Sequence, residues 1–198
     1  HKVSYHPGQF NVLCSPRQDV VEKTIFELNQ HALIMDLMEL DMNPFYNINI
    51  HVGGVYGDKI SSMERFCNEF KRLSHSAQSR LTVENDDSPN GYTVEDLFEG
   101  VYKKINTPIV FDSLHHLCND GGITAENALN TAIKTWGYII PEVHHSSSKK
   151  LYEDEKSTLK SHADFIYNKF IEFDGELYIS IEAKAKELAV KKYKNEFL

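Results

Sequence analysis

The chain has 198 residues, 25% of them charged and 41% hydrophobic, enough for one globular domain with a sizeable core. No run of about 18 apolar residues exists to span a bilayer and no apolar signal segment opens the chain. The net charge of −8 argues against a nucleic-acid partner, since phosphates normally meet a basic face.

Residues 3–6 read as a short extended run, held so by Pro7, which disfavours helix at the residue before it. Residues 18–39 then read as helix, with Val21, Ile25, Leu28, Ala32, Met35 and Met38 on one face. A strand over 47–52 closes on Gly53-Gly54, and a helix follows over 61–74. Next come a strand over 80–85, a helix over 93–104 with a capping pattern at Thr93 and Asp96, and a strand over 108–112. The rest is a helix over 125–134, a strand over 138–144, a loop at 146–150, a helix over 158–173, a strand over 177–182 and a helix over 183–192. Strands alternating with helices imply parallel strands joined by crossovers, in a single domain covering 1–198. Cys14, Cys67 and Cys118 are odd in number and widely spaced, which suits free, buried thiols in the reducing cytoplasm or nucleus.

The strands carry the chemistry. Side chains alternate between faces, and one parity is apolar: Val3 and Tyr5; Ile48, Ile50 and Val52; Leu81 and Val83; Ile109 and Phe111; Val143; Ile179 and Ile181. The other parity ends every strand on a histidine or carboxylate: His6, His51, Glu84, Asp112, His144 and Glu182. Solvated strand ends that happen to be polar are the plainer alternative. In an open doubly wound sheet such ends lie in a row; in a β/α barrel they converge, as an active site needs. No G-x-G-x-x-G follows a strand, so a dinucleotide fold is disfavoured. Adding His115, Glu142 and His162 gives nine candidate ligands, enough for two divalent ions, or three if carboxylates bridge. Imidazole and carboxylate without thiolate favour manganese, zinc or a similar ion, and clustered ions point to hydrolysis of phosphate esters. His31 and His75 read as structural, while His116 and His145 have the opposite parity to their neighbours and stay open.

The block His6-Pro7-Gly8-Gln9-Phe10 with Leu13-Cys14-Ser15-Pro16 resembles the ultraviolet-damage endonuclease family. So do Val83-Glu84-Asn85-Asp86-Asp87, Phe111-Asp112-Ser113-Leu114-His115-His116, Val143-His144-His145-Ser146 and Ile181-Glu182-Ala183-Lys184-Ala185-Lys186-Glu187. The motifs fall in the family's order along nearly the whole chain. The resemblance implies a TIM-type β/α barrel that binds divalent metals, typically manganese, and cleaves DNA 5′ to ultraviolet photoproducts and some other lesions. It implies His6, His51, Glu84, Asp112, His115, His144, His162 and Glu182 as ligands, with Glu84, His144 and Glu182 acting in catalysis. It places a damage-probing pair at Gln9 and Phe10, where a planar side chain can enter a weakened base stack.

Three positions depart from the family pattern. Glu142 stands where the family usually has a lysine that can be carboxylated, so a carboxylate role is expected to survive with shorter reach. His145 stands where an aromatic is favoured, and Tyr178 where an acid is common. Six β/α units are read against the eight of a full barrel, which implies that the first two are missing. Two or three divalent ions would add about +4 to +6 and bring the net charge from −8 to about −4 to −2. Lys149 and Lys150 are candidate phosphate contacts. The expected partner is damaged double-stranded DNA, met by a monomer. An abasic-site endonuclease, a sugar isomerase or epimerase on the same barrel, and an inactive metal-binding fragment are the alternatives; Gln9-Phe10 after His6 favours the nuclease.

Overall fold

A computed structural model describes residues 2–198. Its elements are, in chain order, α1 (Gln18–Leu37), β1 (Ile48–Ile50), α2 (Lys59–Phe70), α3 (His75–Arg80), β2 (Leu81–Glu84), α4 (Val94–Leu97) and α5 (Lys103–Ile105). They continue with β3 (Ile109–Asp112), α6 (Ser113–Cys118), α7 (Ala125–Lys134), β4 (Glu142–His145), α8 (Lys149–Tyr152), β5 (Tyr178–Ile181) and α9 (Glu187–Phe197). Side-chain caps start several helices by satisfying their first N–H groups: Asp58 for α2, Thr93 with Asp96 for α4, and Thr124 for α7. A π-helical turn, Phe98–Tyr102, joins α4 to α5, and the run stops where Asn106 turns left-handed at φ 56°.

The strands are all parallel in the order β1-β2-β3-β4-β5. The expected first strand contributes a single bridge, in which Tyr5 N–H donates to Asn47 O and Asn49 N–H to Tyr5 O, both at 2.9 Å. Ile48, Ile50, Val52, Leu81, Val83, Ile109, Phe111 and Val143 join one buried cluster with Val21, Leu28, Met63, Phe66 and Leu129 from the helices. The apolar parity therefore faces the helices, as the sequence pattern predicts. The sheet also curls. Residues at its two edges would lie roughly 24 Å apart if it were flat, at about 4.8 Å per strand. Yet donor atoms of His6, His144 and Glu182 all lie within 4.8 Å of one another. Lys2 Nζ likewise lies 3.0 Å from Glu142 of β4. The architecture is a partial β/α barrel.

The sequence reading needs correction in four places. Residues 158–173 are not helical: Ala163, Ile166 and Phe170 are buried at helix-like spacing, but the backbone is spent elsewhere. Ala163 N–H donates to Ser147 O, while Ser161 O and Ala163 O accept from Lys149 and Lys184. Tertiary hydrogen bonds override the periodicity. The last helix begins at Glu187, because the N–H groups of Lys184 and Ala185 bond to Ala163 and Asp164. The expected loop at 146–150 has Ser146, Ser147 and Ser148 buried and then enters α8. The short helices α3, α6 and α8 fall where no helix is expected from the pattern.

Candidate metal centre

The site begins with a polar ladder inside the curled sheet. Asn47 donates to Thr82 Oγ1 at 3.2 Å, Thr82 donates to Asn49 Oδ1 at 2.9 Å, and Asn49 donates to Glu84 Oε2 at 2.5 Å. Asn47 immediately precedes β1, and Asn49, Thr82 and Glu84 lie on strand positions of one parity, so the ladder climbs to the strand ends and holds the Glu84 carboxylate from below. Glu84 is only 1% exposed.

Four imidazoles surround that carboxylate. Oε2 lies 3.3 Å from His6 Nε2 and 3.2 Å from His144 Nδ1; Oε1 lies 3.0 Å from His115 Nδ1 and 3.9 Å from His51 Nε2. His144 Nδ1 also lies 3.1 Å from Glu182 Oε1. A local rule brings His115 here. Asp112 ends β3 and caps α6 by accepting the His115 N–H at 2.6 Å, so the first helical turn swings His115 back over the strand end. Three groups of donors could each hold a metal ion: His6, His51 and Glu84; His6, His144 and Glu182; Glu84, Asp112 and His115. Sharing of His6 and Glu84 between groups makes the three contiguous. Asp112 Oδ2 and His144 Nδ1 are buried without a hydrogen-bond partner, which a bound cation would satisfy. The donor set fits divalent cations.

The charges are interdependent. Burial pushes the Glu84 carboxyl up, but His144, His115 and His6 outweigh it and hold it well below the carboxylate range. Burial works against protonated His115 and His144 too, yet Asp112 and Glu84 raise His115 to about 10, and Glu84 and Glu182 hold His144 well above its ordinary value. Asp112 itself is raised, chiefly by burial.

A family model described as UV-endonuclease UvdE matches residues 1–197. The chain belongs to this family. It is 32% identical over 198 residues to a UV DNA damage endonuclease of Clostridium perfringens, covering 95% of this chain and 46% of that protein. Against the enzyme of the same description from Bacillus pumilus, identity is 35% over 173 residues, or 86% of this chain and 51% of that one. The crystal structure of SacUVDE superposes with a TM-score of 0.83 at 31% identity, covering 98% of this chain and 65% of the other. The chain thus spans about half to two thirds of the length of these relatives. A D-psicose 3-epimerase from Clostridium cellulolyticum H10 superposes at TM-score 0.52 with 15% identity, covering 74% of this chain and 52% of the other, and shares the fold alone.

The remaining candidates of this UvdE chain are spread around the centre. His162 reaches it only through Glu182, at 3.7 Å, and enters none of the three groups. Glu142 also stays outside them; its carboxylate pairs with Lys2 at 3.0 Å, accepts from Ser180 at 2.5 Å and lies 3.8 Å from His144 Nε2. Lys2, in turn, sits over the rings of Phe45, Trp136 and Tyr178 at 5.2, 5.6 and 5.2 Å. Gln9 and Phe10 stand at the rim beside His6, Phe10 at 81% exposed. Lys149 is paired with Glu153 and Asp164, each at 3.9 Å, while Lys150 is exposed. His116 packs on Phe111 away from the centre, and His145 is buried with its ring nitrogens on Ser113 and Asn168. Sequence reasoning missed Lys2, Asn49 and Thr82, although their inward parity was the available signal. It also missed Asp86, in the run Val83-Glu84-Asn85-Asp86-Asp87. Cys14, Cys67 and Cys118 are free, and burial raises the Cys14 thiol to about 12. No helix among the described residues is long and apolar enough to cross a membrane.

Proposed function

We propose that this chain is the catalytic unit of a DNA-repair endonuclease that hydrolyses the phosphodiester 5′ to ultraviolet photoproducts and other lesions. The observation that carries this is the convergence of imidazoles and carboxylates from every strand end on Glu84. The cofactor is two or three divalent ions; a donor set of nitrogen and oxygen without sulfur suits manganese, zinc or a similar ion, and the family resemblance favours manganese among them. Bound there, such ions supply an activated water and positive charge for the phosphate oxygens. Glu84 belongs to two of the donor groups and would be common to them; His6 and His51 would hold an ion with it on one side, Asp112 and His115 on another, and His6, His144 and Glu182 would hold a third. His162 and Glu142 act from the outside, the first through Glu182 and the second beneath His144. Gln9 and Phe10 probe the base stack from the rim, where exposed Phe10 has no core to fill. Lys150 is better placed than Lys149 for a phosphate, since Lys149 is already paired. The unit acts as a monomer on damaged duplex DNA.

The test is incubation of the chain, and of a form lengthened to match its relatives, with manganese and supercoiled plasmid, irradiated or not. Nicking confined to the irradiated plasmid is expected, and replacing both Gln9 and Phe10 by alanine should erode that preference more than it weakens manganese binding. Equal nicking of both plasmids by the unsubstituted chain would refute the lesion-directed reading.

A further inference from the structure

Two ligand candidates turn their second ring nitrogen toward a carboxylate outside the three groups: His144 faces Glu142 at 3.8 Å, and His51 lies much closer to Asp86. The His51 Nε2 faces Glu84 Oε1 at 3.9 Å, and its Nδ1 lies 2.7 Å from Asp86 Oδ1. Nδ1 is buried, and this contact is short but off the line of a well-aligned N–H···O bond.

Asp86 is held to meet that nitrogen. Its Oδ2 accepts the Tyr92 N–H at 2.9 Å, its own N–H donates to Tyr92 O at 2.8 Å, and Asn119 Nδ2 donates to its carbonyl at 3.4 Å. Gly91 leaves room for this clamp. A Cβ at Gly91 would fall 2.5 Å from Asp86 Cβ and 2.9 Å from Oδ2, so any side chain there displaces the carboxylate. The side chain can rotate little, and it presents one free oxygen to one imidazole.

We infer that Asp86 is a positioning residue for the metal centre: it fixes His51 as the Nδ1–H tautomer, leaving the Nε2 lone pair for a divalent cation held with His6 and Glu84. An imidazole offers a lone pair at one nitrogen only when the proton sits on the other, and a carboxylate on that proton both orients the ring and makes it more basic toward metal. Gly91 acts on the same ring through Asp86. The inference rests on the metal-centre reading and names what sets one of its ligands; Asp86 touches no substrate.

The probe is zinc, which is diamagnetic. The 198-residue chain is titrated with zinc by calorimetry, and the His51 ring is followed by nitrogen-15 and proton resonance in the zinc-loaded protein. The wild-type chain should show a His51 Nδ1–H protected from exchange. Asp86→Ala should lose that resonance and weaken zinc binding about 10–100-fold. Asp86→Asn, whose single carbonyl oxygen must serve either His51 or the Tyr92 N–H, should fall between in both readouts, and Gly91→Ala should move both in the direction of Asp86→Ala. Asp87→Ala, which removes a carboxylate paired with Lys160 at 3.3 Å, should move neither. Zinc affinity and a His51 resonance unchanged in Asp86→Ala, or in Gly91→Ala should Asp86→Ala not fold, would overturn the inference alone. Failure of the wild-type chain to bind zinc would overturn the metal-centre reading as well.

Discussion

The side of the centre formed by β1, β2 and β3 is held by short directional bonds to neighbouring strands, whereas the side carrying His162 and Glu182 depends on a segment without regular structure. Glu84 rests on Asn49, Asp112 is fixed as a helix cap, and His51 backs onto a clamped Asp86. Glu182 instead follows an edge strand whose residues are exposed or half-buried, and its N–H bonds to His145 O at 3.0 Å. His162 is placed by the bonds that stitch 161–164 to 147–149 and 184–185. Donors on the first side are therefore preorganised before any cation arrives, while those on the second can adjust to it. Tight binding should be set by the first side.

The sharpest way to break this contrast is to compare Glu84→Ala with His162→Ala. Glu84→Ala removes a carboxylate shared by two donor groups and leaves the surrounding imidazoles facing one another in a buried space. Divalent-cation binding and nicking should both be lost, and the cation-free fold should lose about 3–5 kcal/mol by urea unfolding, as when one partner of a buried charge network is deleted. His162→Ala should weaken cation binding far less and barely move the unfolding midpoint. If calorimetry gave the two variants equal losses of affinity, the first side would not be the anchor.

Acidity gives a second, smaller lever, and its sign differs between folding and binding. His115 is raised from 6.5 to about 10, so its protonated form stabilises the cation-free fold. That contribution is complete below pH 6.5 and is lost as the pH rises through about 10. A cation must displace that proton, so its apparent affinity should instead rise over the same interval, by about tenfold per pH unit for each proton released. Titrations at several pH values check this, and an affinity independent of pH would mean that His115 does not ligate. Glu84 moves oppositely: its stabilising contribution is present above its ordinary 4.5 and is lost as the pH falls through its lowered value.

The same contrast explains what the sequence discloses. On the first side each donor obeys a short-range rule. Alternation puts Glu84 and His51 at inward strand ends, and the three-residue step from Asp112 to His115 is a capped helical turn. These features need no knowledge of distant residues, and the parallel strand order follows from the alternation of elements. On the second side the deciding bonds join residues far apart in the chain. Ala163, Ile166 and Phe170 have helical spacing, but the chain buries them in an irregular path that Ser147, Asn168 and Lys184 impose. Glu142 illustrates a third case. Its inward parity is legible, but its partner Lys2 lies 140 positions away on the other edge of the sheet, and nothing local announces the pair. Asp86 lies in the Val83–Asp87 run, yet only the backbone turn through Gly91 and Tyr92 brings its carboxylate to His51.

The smallest expected effect concerns His145, which ties the irregular side to the ordered one. Its Nε2 lies 2.9 Å from Asn168 O and its Nδ1 2.8 Å from Ser113 Oγ. A carbonyl can only accept, so Nε2 carries the proton and Nδ1 accepts from the serine hydroxyl. Burial lowers the His145 pKa, which keeps this neutral tautomer at pH 7. The sign is opposite to that of His115: the contribution is present above 6.5 and is lost as the pH falls below it. His145→Leu keeps most of the volume against Phe170 and Tyr193 but strands the Asn168 carbonyl, at a cost of about 1–3 kcal/mol. Hydrogen exchange should then quicken in 161–170 and stay unchanged in β1, β2 and β3, with cation affinity at Glu84 nearly as before. Uniform acceleration along the chain would show instead that the two sides unfold as one unit, and the difference in how they are held would have no energetic consequence.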